Sequence, residues 1–272
     1  MPLQSVYLNG GFIGVTTSYQ LAVPAGLETL TYVDGLTTSG AGTTGAITVS
    51  LTGITMQEND LVIVALAMSG NATRSFRIDD GSTLYTEVAN IAAVDSEIAA
   101  LQVGYKFMGA TPDTSFRIPG GTGSTNDAYA IAVHVWRNVD QTTPMDVTAV
   151  TRTQINTQLV DPNPITPVTS GAQILIAGSG AHTGGVDTYT ASYLSNFFSS
   201  GGNATNDTTV GLGNIAWTGG SYDGAAWTHT QGISTAFSCA SVVMALRPAT
   251  TAPIASNDGI FNLQAVTEAL SV

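Results

Sequence analysis

The sequence predicts an all-β chain: an antiparallel β-sandwich, jelly-roll-like, with a short arm at each end. Three observations carry that expectation. Apolar runs of strand length recur along the chain, turn residues separate them at short intervals, and helical periodicity is almost absent. Residues 60–68 (DLVIVALAM) form a continuous apolar run, the pattern of a strand covered on both faces. Residues 97–108, 128–136, 172–178 and 233–246 share that character. In 128–136 the period of two is explicit: Ala128, Ala130, Ala132, His134 and Trp136 fall on one face, Tyr129, Ile131, Val133 and Val135 on the other. Segments 47–54, 73–78, 114–118 and 207–212 are shorter and predict half-buried or edge strands. Turns are marked by Asp79-Asp80-Gly81, Thr111-Pro112-Asp113, Pro119-Gly120-Gly121, Ser200-Gly201-Gly202 and Thr218-Gly219-Gly220. No repeat of the 20–50-residue kind is visible.

Three zones follow. Residues 1–27 form an N-terminal arm with a hairpin expected around Asn9-Gly10-Gly11. Residues 28–248 hold the sandwich. Residues 249–272 begin with a Pro/Thr/Ser linker and continue into an expected helix from about Asp258 to Leu270, capped by Asn257 or Ser256. That helix sets Ile260, Leu263, Val266 and Leu270 on one face, and a helix so short needs a surface to dock on. The four side chains are the expected assembly contacts.

Charge is scarce. Seven Lys+Arg and 19 Asp+Glu make 10% of the 272 residues, where globular domains carry about 25%. The net charge of −12 with one lysine, Lys106, disfavours nucleic acid, whose phosphates require clustered cations. No apolar run approaches the roughly 18 residues of a membrane span, and no signal-peptide pattern opens the chain, so neither a membrane nor a secretory route is expected. A polar surface made of Thr, Ser, Asn, Gln and Gly suits a protein outside a cell or one whose faces are covered by partners. The single cysteine, Cys239, lies in an apolar run and is read as a buried small hydrophobe.

The segments YKFMGATPDTSFRIPG (105–120), AVHVWRNVDQTTPMDV (132–147), AGSGAHTGG (177–185), LSNFFSSGGNATNDTTVGLGNIAWTGGSYDGAAWT (194–228) and ASVVMALRP (240–248) resemble an uncharacterised family of structural proteins of tailed-bacteriophage virions. GIFNLQAVTEA (259–269) resembles a short tail at the end of phage virion proteins. The resemblance spans about residues 29–248 plus that tail and implies a virion protein with a β-sandwich core. It supplies no catalytic residues and no uniform place on the particle, and residues 1–27 depart from its pattern.

Candidate chemistry is sparse. His134, His182 and His229 lack metal-ligand spacing, and no Cys/His cluster exists. His134 is read as a core histidine. His182 is read first as a loop residue packing the sandwich end, with ligand contact as the alternative. Gly120-Gly121-Thr122-Gly123 lies between strands with no following helix, so it is not a phosphate loop. Asp79-Asp80-Gly81 and 203–207 are oxygen-rich loops that turn formation explains without Ca²⁺. No cofactor, metal or catalytic residue is expected. The best binding candidate is the loop 217–227, where Trp217, Tyr222 and Trp227 stand among glycines. The two indoles are read first as plugs for the open end of the sandwich, with sugar stacking or subunit contact as alternatives.

The expectation for function is a non-enzymatic structural protein on the surface of a phage virion, leaning to capsid decoration. A tail fibre or adhesin for host glycan, and a secreted carbohydrate-binding module, are the alternatives. Expected partners are other copies of the chain, as a homotrimer by analogy, and other virion proteins.

Overall fold

The computed structural model describes residues 7–8, 11–12, 26–70, 77–157, 159–229 and 238–251. The expected helix, with Ile260, Leu263, Val266 and Leu270, lies outside them. Every regular element among the described residues is a strand. In chain order these are β1 (Tyr7–Leu8), β2 (Gly11–Phe12), β3 (Thr31–Gly40), β4 (Ile47–Ser50), β5 (Leu61–Met68), β6 (Thr86–Val94), β7 (Ile98–Phe107) and β8 (Ser115–Ile118). There follow β9 (Tyr129–Arg137), β10 (Val150–Ile155), β11 (Gln173–His182), β12 (Tyr189–Thr190), β13 (Ser195–Gly202), β14 (Asp207–Ala216), β15 (Thr228–His229) and β16 (Ser238–Leu246). The chain divides into two units: Glu28–Ala249, and Met1–Leu27 together with Thr250–Val272. In the smaller unit β1 pairs antiparallel with β2, Leu8 opposite Gly11, across Asn9-Gly10.

The larger unit is the expected antiparallel β-sandwich. One five-stranded sheet has the order β3-β9-β5-β7-β6 and the other β10-β16-β11-β14-β13. Its wiring refines the jelly-roll expectation. A jelly roll carries its Greek keys back and forth between two sheets, whereas here each sheet is completed by one half of the chain before the other begins. Number the five strands of each sheet by their order along the chain, and both sheets read 1-5-2-4-3. The two halves are built on one plan.

The correspondence extends to single hydrogen bonds. In the first half the turn before β5 closes with the Asp60 N–H donating to Gln57 O (3.2 Å), Asn59 being left-handed at φ 69°. In the second half the turn before β11 closes with the Ala172 N–H donating to Thr169 O (3.1 Å), Gly171 being left-handed at φ 80°. The Met108 N–H then donates to Asp60 O, as the Trp217 N–H does to Ala172 O. Leu61 pairs with Phe107 and Trp136, and Gln173 with Ala216 and Leu246, so the halves end on equivalent arginines, Arg137 and Arg247. Sequence identity between these stretches is too low to reveal the repeat.

This wiring explains the apolar runs. Strands 1 and 2, 2 and 3, and 4 and 5 of each sheet are parallel, separated by one antiparallel strand, so each connection must cross a face. The inner faces are occupied by the opposite sheet: Leu61, Ile63, Leu101 and Val103 from one side meet Leu175, Val210, Leu212 and Val242 from the other. The connections therefore run over the outer faces. In the first half they pair as β4 with β8 and cover Val62, Val64 and Leu66 with Ile47, Val49 and Phe116. In the second, Val160 bridges to Trp227 and Ile165 to Tyr222, over Ile174 and Ile176. All eight residues of β5 are buried, and each large apolar side chain so placed contributes about 1.5–3 kcal/mol.

The four edge strands, β3, β6, β10 and β13, fall outside every segment the sequence marks as a strand, and β14 departs from its expectation. Residues 207–212 predict a short, half-buried or edge strand, but β14 runs ten residues inside the sheet, its first eight buried. Gly211 and Gly213 dilute its apolar run, so the strand is buried without reading as hydrophobic.

Candidate functional site

The loop singled out in the sequence lies over the outer face of the second half. Trp227 is wholly buried, with its ring edge-on to Phe197 (centroids 5.2 Å apart, planes at 80°) and tilted against Tyr189 (5.7 Å). The strands beneath make room for it by lacking side chains. A Cβ at Gly178 would lie 2.7 Å from both Trp227 and Val160, and one at Gly211 would lie 2.6 Å from Trp227. The Trp227 Nε1–H donates to Tyr193 Oη (2.7 Å), and Tyr193 Oη donates to Ala225 O (2.6 Å), which satisfies the buried indole and fixes the tyrosine. Burial pushes the Tyr193 phenol up to about 12. Trp227 thus has no face to offer a ligand.

Trp217 and Tyr222 differ from it. Both are half-buried and pack on the same outer cluster. The Trp217 Nε1–H donates to Gly220 O (2.8 Å), which anchors the indole to its own turn. Tyr222 exchanges two backbone hydrogen bonds with Ile165, at 2.9 and 2.8 Å. Burial, aided by Asp223, raises the Tyr222 phenol. With Tyr193, also half-buried, these rings form a surface of aromatic edges held by backbone contacts. The sequence reading missed Tyr193 and Phe197 as members of this layer. The signal was present in Gly178-x-Gly180 and Gly211-x-Gly213, glycines two apart on one strand face, where bulky rings can lie.

His182 is the last residue of β11, not a loop residue. It is fully buried, pairs in register with Asp207, and its Nε2 lies 2.8 Å from Thr209 Oγ1. His134 is the expected core histidine: buried between the sheets, Nε2 2.9 Å from Asn196 O, among Tyr32, Trp136 and Phe198. Burial lowers its pKa to about 4, so it is neutral at pH 7. Burial likewise pushes the Cys239 thiol up to about 12, although the Tyr189 hydroxyl opposes the shift, which suits an inert core position.

The oxygen-rich loops are tied up in turns. Asp79 accepts the Gly81 N–H and Arg117 Nε, and Asp80 accepts the Ser82 and Thr83 N–H groups and Lys106 Nζ. Hydrogen bonds from Lys106 and these amides hold the Asp80 carboxyl well below the usual carboxylate range. Asp207 accepts the Ala204 and Gly185 N–H groups. Among the described residues no group of three or more His, Cys, Asp or Glu is placed to hold a metal ion.

Charge is spent on bracing. Asp60, wholly buried, takes Arg137 Nε and Nη2 at 2.8 Å each, and Asp146 takes Arg247 Nε at 3.2 Å. Lys106 with Asp113, Arg117 with Asp79 and Arg152 with Asp161 bring the ion-paired cations among the described residues to five. No family model, curated protein or solved structure matches this chain.

Proposed function

We propose that the chain is a structural protein of a tailed-phage virion surface, acting as a capsid decoration protein that works by contact with copies of itself and with capsid subunits. The observation that carries this reading is the use of charge. Among the described residues five cations pair with the chain's own carboxylates, two of them with the buried Asp60 and Asp146. The exposed residues of β10, Thr151, Thr153 and Ile155, are uncharged. Covering uncharged residues of that kind costs far less than covering unpaired charges. The sequence resemblance to virion proteins points the same way. Electron microscopy of purified virions carrying a tagged copy tests it: label over the capsid is the expected result, and particles without label overturn it. Deleting residues 252–272 is expected to prevent incorporation.

The half-exposed Trp217 and Tyr222 favour a second reading, a tail fibre or adhesin that stacks these rings on host sugar. Label at the tail, together with glycan-array binding lost in Trp217→Ala, is what that reading requires.

A further inference from the structure

The sandwich has four edge strands, and three of them are guarded. The β10 edge is covered by its own connection: Asn163 Nδ2–H donates to Thr151 O (2.9 Å), and Arg152 pairs with Asp161 (2.6 Å). The β13 edge carries a bulge between Ser195 and Phe198. It is also overlain by the Asp187–Tyr189 segment, whose Tyr189 N–H donates to Ser199 Oγ (2.7 Å). The β3 edge is bulged between Tyr32 and Asp34, and the Asp34 carboxylate takes the Gly35 N–H (2.8 Å). Bulges, charges and overlying segments are the usual means by which an edge is kept from pairing with another chain.

β6 is different. Its bulge lies between Glu87 and Ala89, at the start, and from there Ala89–Val94 runs six residues in unbroken register with β7. That run (Ala-Asn-Ile-Ala-Ala-Val) contains no charge and no proline. It ends on Val94, 56% exposed. Ile155 of β10, 55% exposed, lies at the same end of the same flank, because its partner Ser238 accepts the Ala99 N–H through Oγ and Val94 pairs with Ile98. A neutral strand edge and an apolar patch therefore adjoin.

We infer that the Ala89–Val94 edge of β6 pairs antiparallel with the same edge of a second copy, joining two five-stranded sheets into one of ten strands. A second copy is the occupant favoured by charge. Each chain carries −12, so two copies can approach only through neutral surface, and this is a neutral strand edge. A strand pairing with itself across a two-fold axis is necessarily antiparallel, the geometry of the more stable ladder. A register centred on Ala92 sets Asn90 against Val94 of the second copy, and Glu87, opposite the second copy's Glu97, falls beyond the ends of the neutral run. The arrangement is a dimer, where the sequence analogy pointed to a trimer, and it does not depend on where a particle carries the protein.

The test is sedimentation of the full chain over nanomolar to tens-of-micromolar concentrations, with Val94→Lys, an exposed site where lysine is tolerated by the fold. A dimer whose dissociation constant rises on the order of tenfold or more in Val94→Lys is expected. As a second measure, Ala92→Cys is expected to be joined into dimers by a short bis-maleimide, while the wild type, whose Cys239 is buried, is not. A monomer at every concentration overturns the inference. So does an oligomer indifferent to Val94→Lys that Ala92→Cys fails to cross-link.

Discussion

The two halves of the sandwich share one wiring and divide their bulk in opposite ways. Counting from the matched turns, Leu66 of β5 corresponds to Gly178 of β11, and their neighbours across the ladder are Gln102 and Gly211. At these positions the first half puts larger side chains on the strands, under a cover of Ile47, Val49, Ile118 and Phe116. At these positions the second half sets glycine on the strands, under Trp227, Phe197 and Tyr189. Close packing requires only that the space be filled. Which layer fills it is free, and this freedom lets one plan be written in two sequences with little identity.

The largest way to break the comparison is to remove the second half's cover. Trp227→Ala leaves a cavity over glycines that have no side chains to collapse into it, and is expected to cost about 4 kcal/mol in urea unfolding. Phe116→Ala in the first half, where flexible neighbours such as Leu66 and Met68 can relax, is expected to cost about 1 kcal/mol less.

Next comes the inner face. His134 and Met244 occupy equivalent places, two residues before Trp136 and Leu246, yet only one titrates. The folded state holds His134 at about 4 against an ordinary value of 6.5, because burial disfavours the charged ring. A depressed folded value means stability is complete above pH 6.5 and is lost as pH falls toward 4. The loss is expected to reach about 3 kcal/mol by pH 4. His134→Met, which copies the second half, is expected to remove this slope from a pH series of unfolding curves.

The smallest effect concerns the matched arginines. Asp60 takes two hydrogen bonds from Arg137 and one from the Gln57 N–H (2.9 Å), whereas Asp146 takes two N–H groups, of Val168 and Thr169 at 2.6 and 3.0 Å, and one hydrogen bond from Arg247. Arg137→Ala is therefore expected to cost about 2 kcal/mol and Arg247→Ala about 1 kcal/mol in the same assay.

Much of the fold was legible from the sequence. Residues 60–68, 97–108 and 128–136 mark β5, β7 and β9, because strands buried on both faces must be apolar throughout. The repeat was hidden, since it resides in hydrogen-bond order and shares few residues beyond pairs such as Ala130 with Ala240 and Arg137 with Arg247. β14 was under-read because glycine counts as a breaker in sequence, while on this face it is a seat for Trp227. Of the candidate site, Trp217 and Tyr222 are half-buried. Trp227 has the same composition around it but faces the opposite way, and nothing in the residue types separates the three. The edge of β6 was invisible because an edge is defined by what does not pair with it.

The exchange of bulk between strand and cover is tested most directly by a double-mutant cycle on Gly178 and Trp227. Gly178→Ala alone is expected to cost about 2 kcal/mol, because its new methyl meets the indole. Trp227→Leu alone is expected to cost about 3 kcal/mol. Combined, they should cost at least about 1 kcal/mol less than their sum, since the smaller cover accepts the larger strand residue. Costs that simply add, within about 0.5 kcal/mol, would contradict the account.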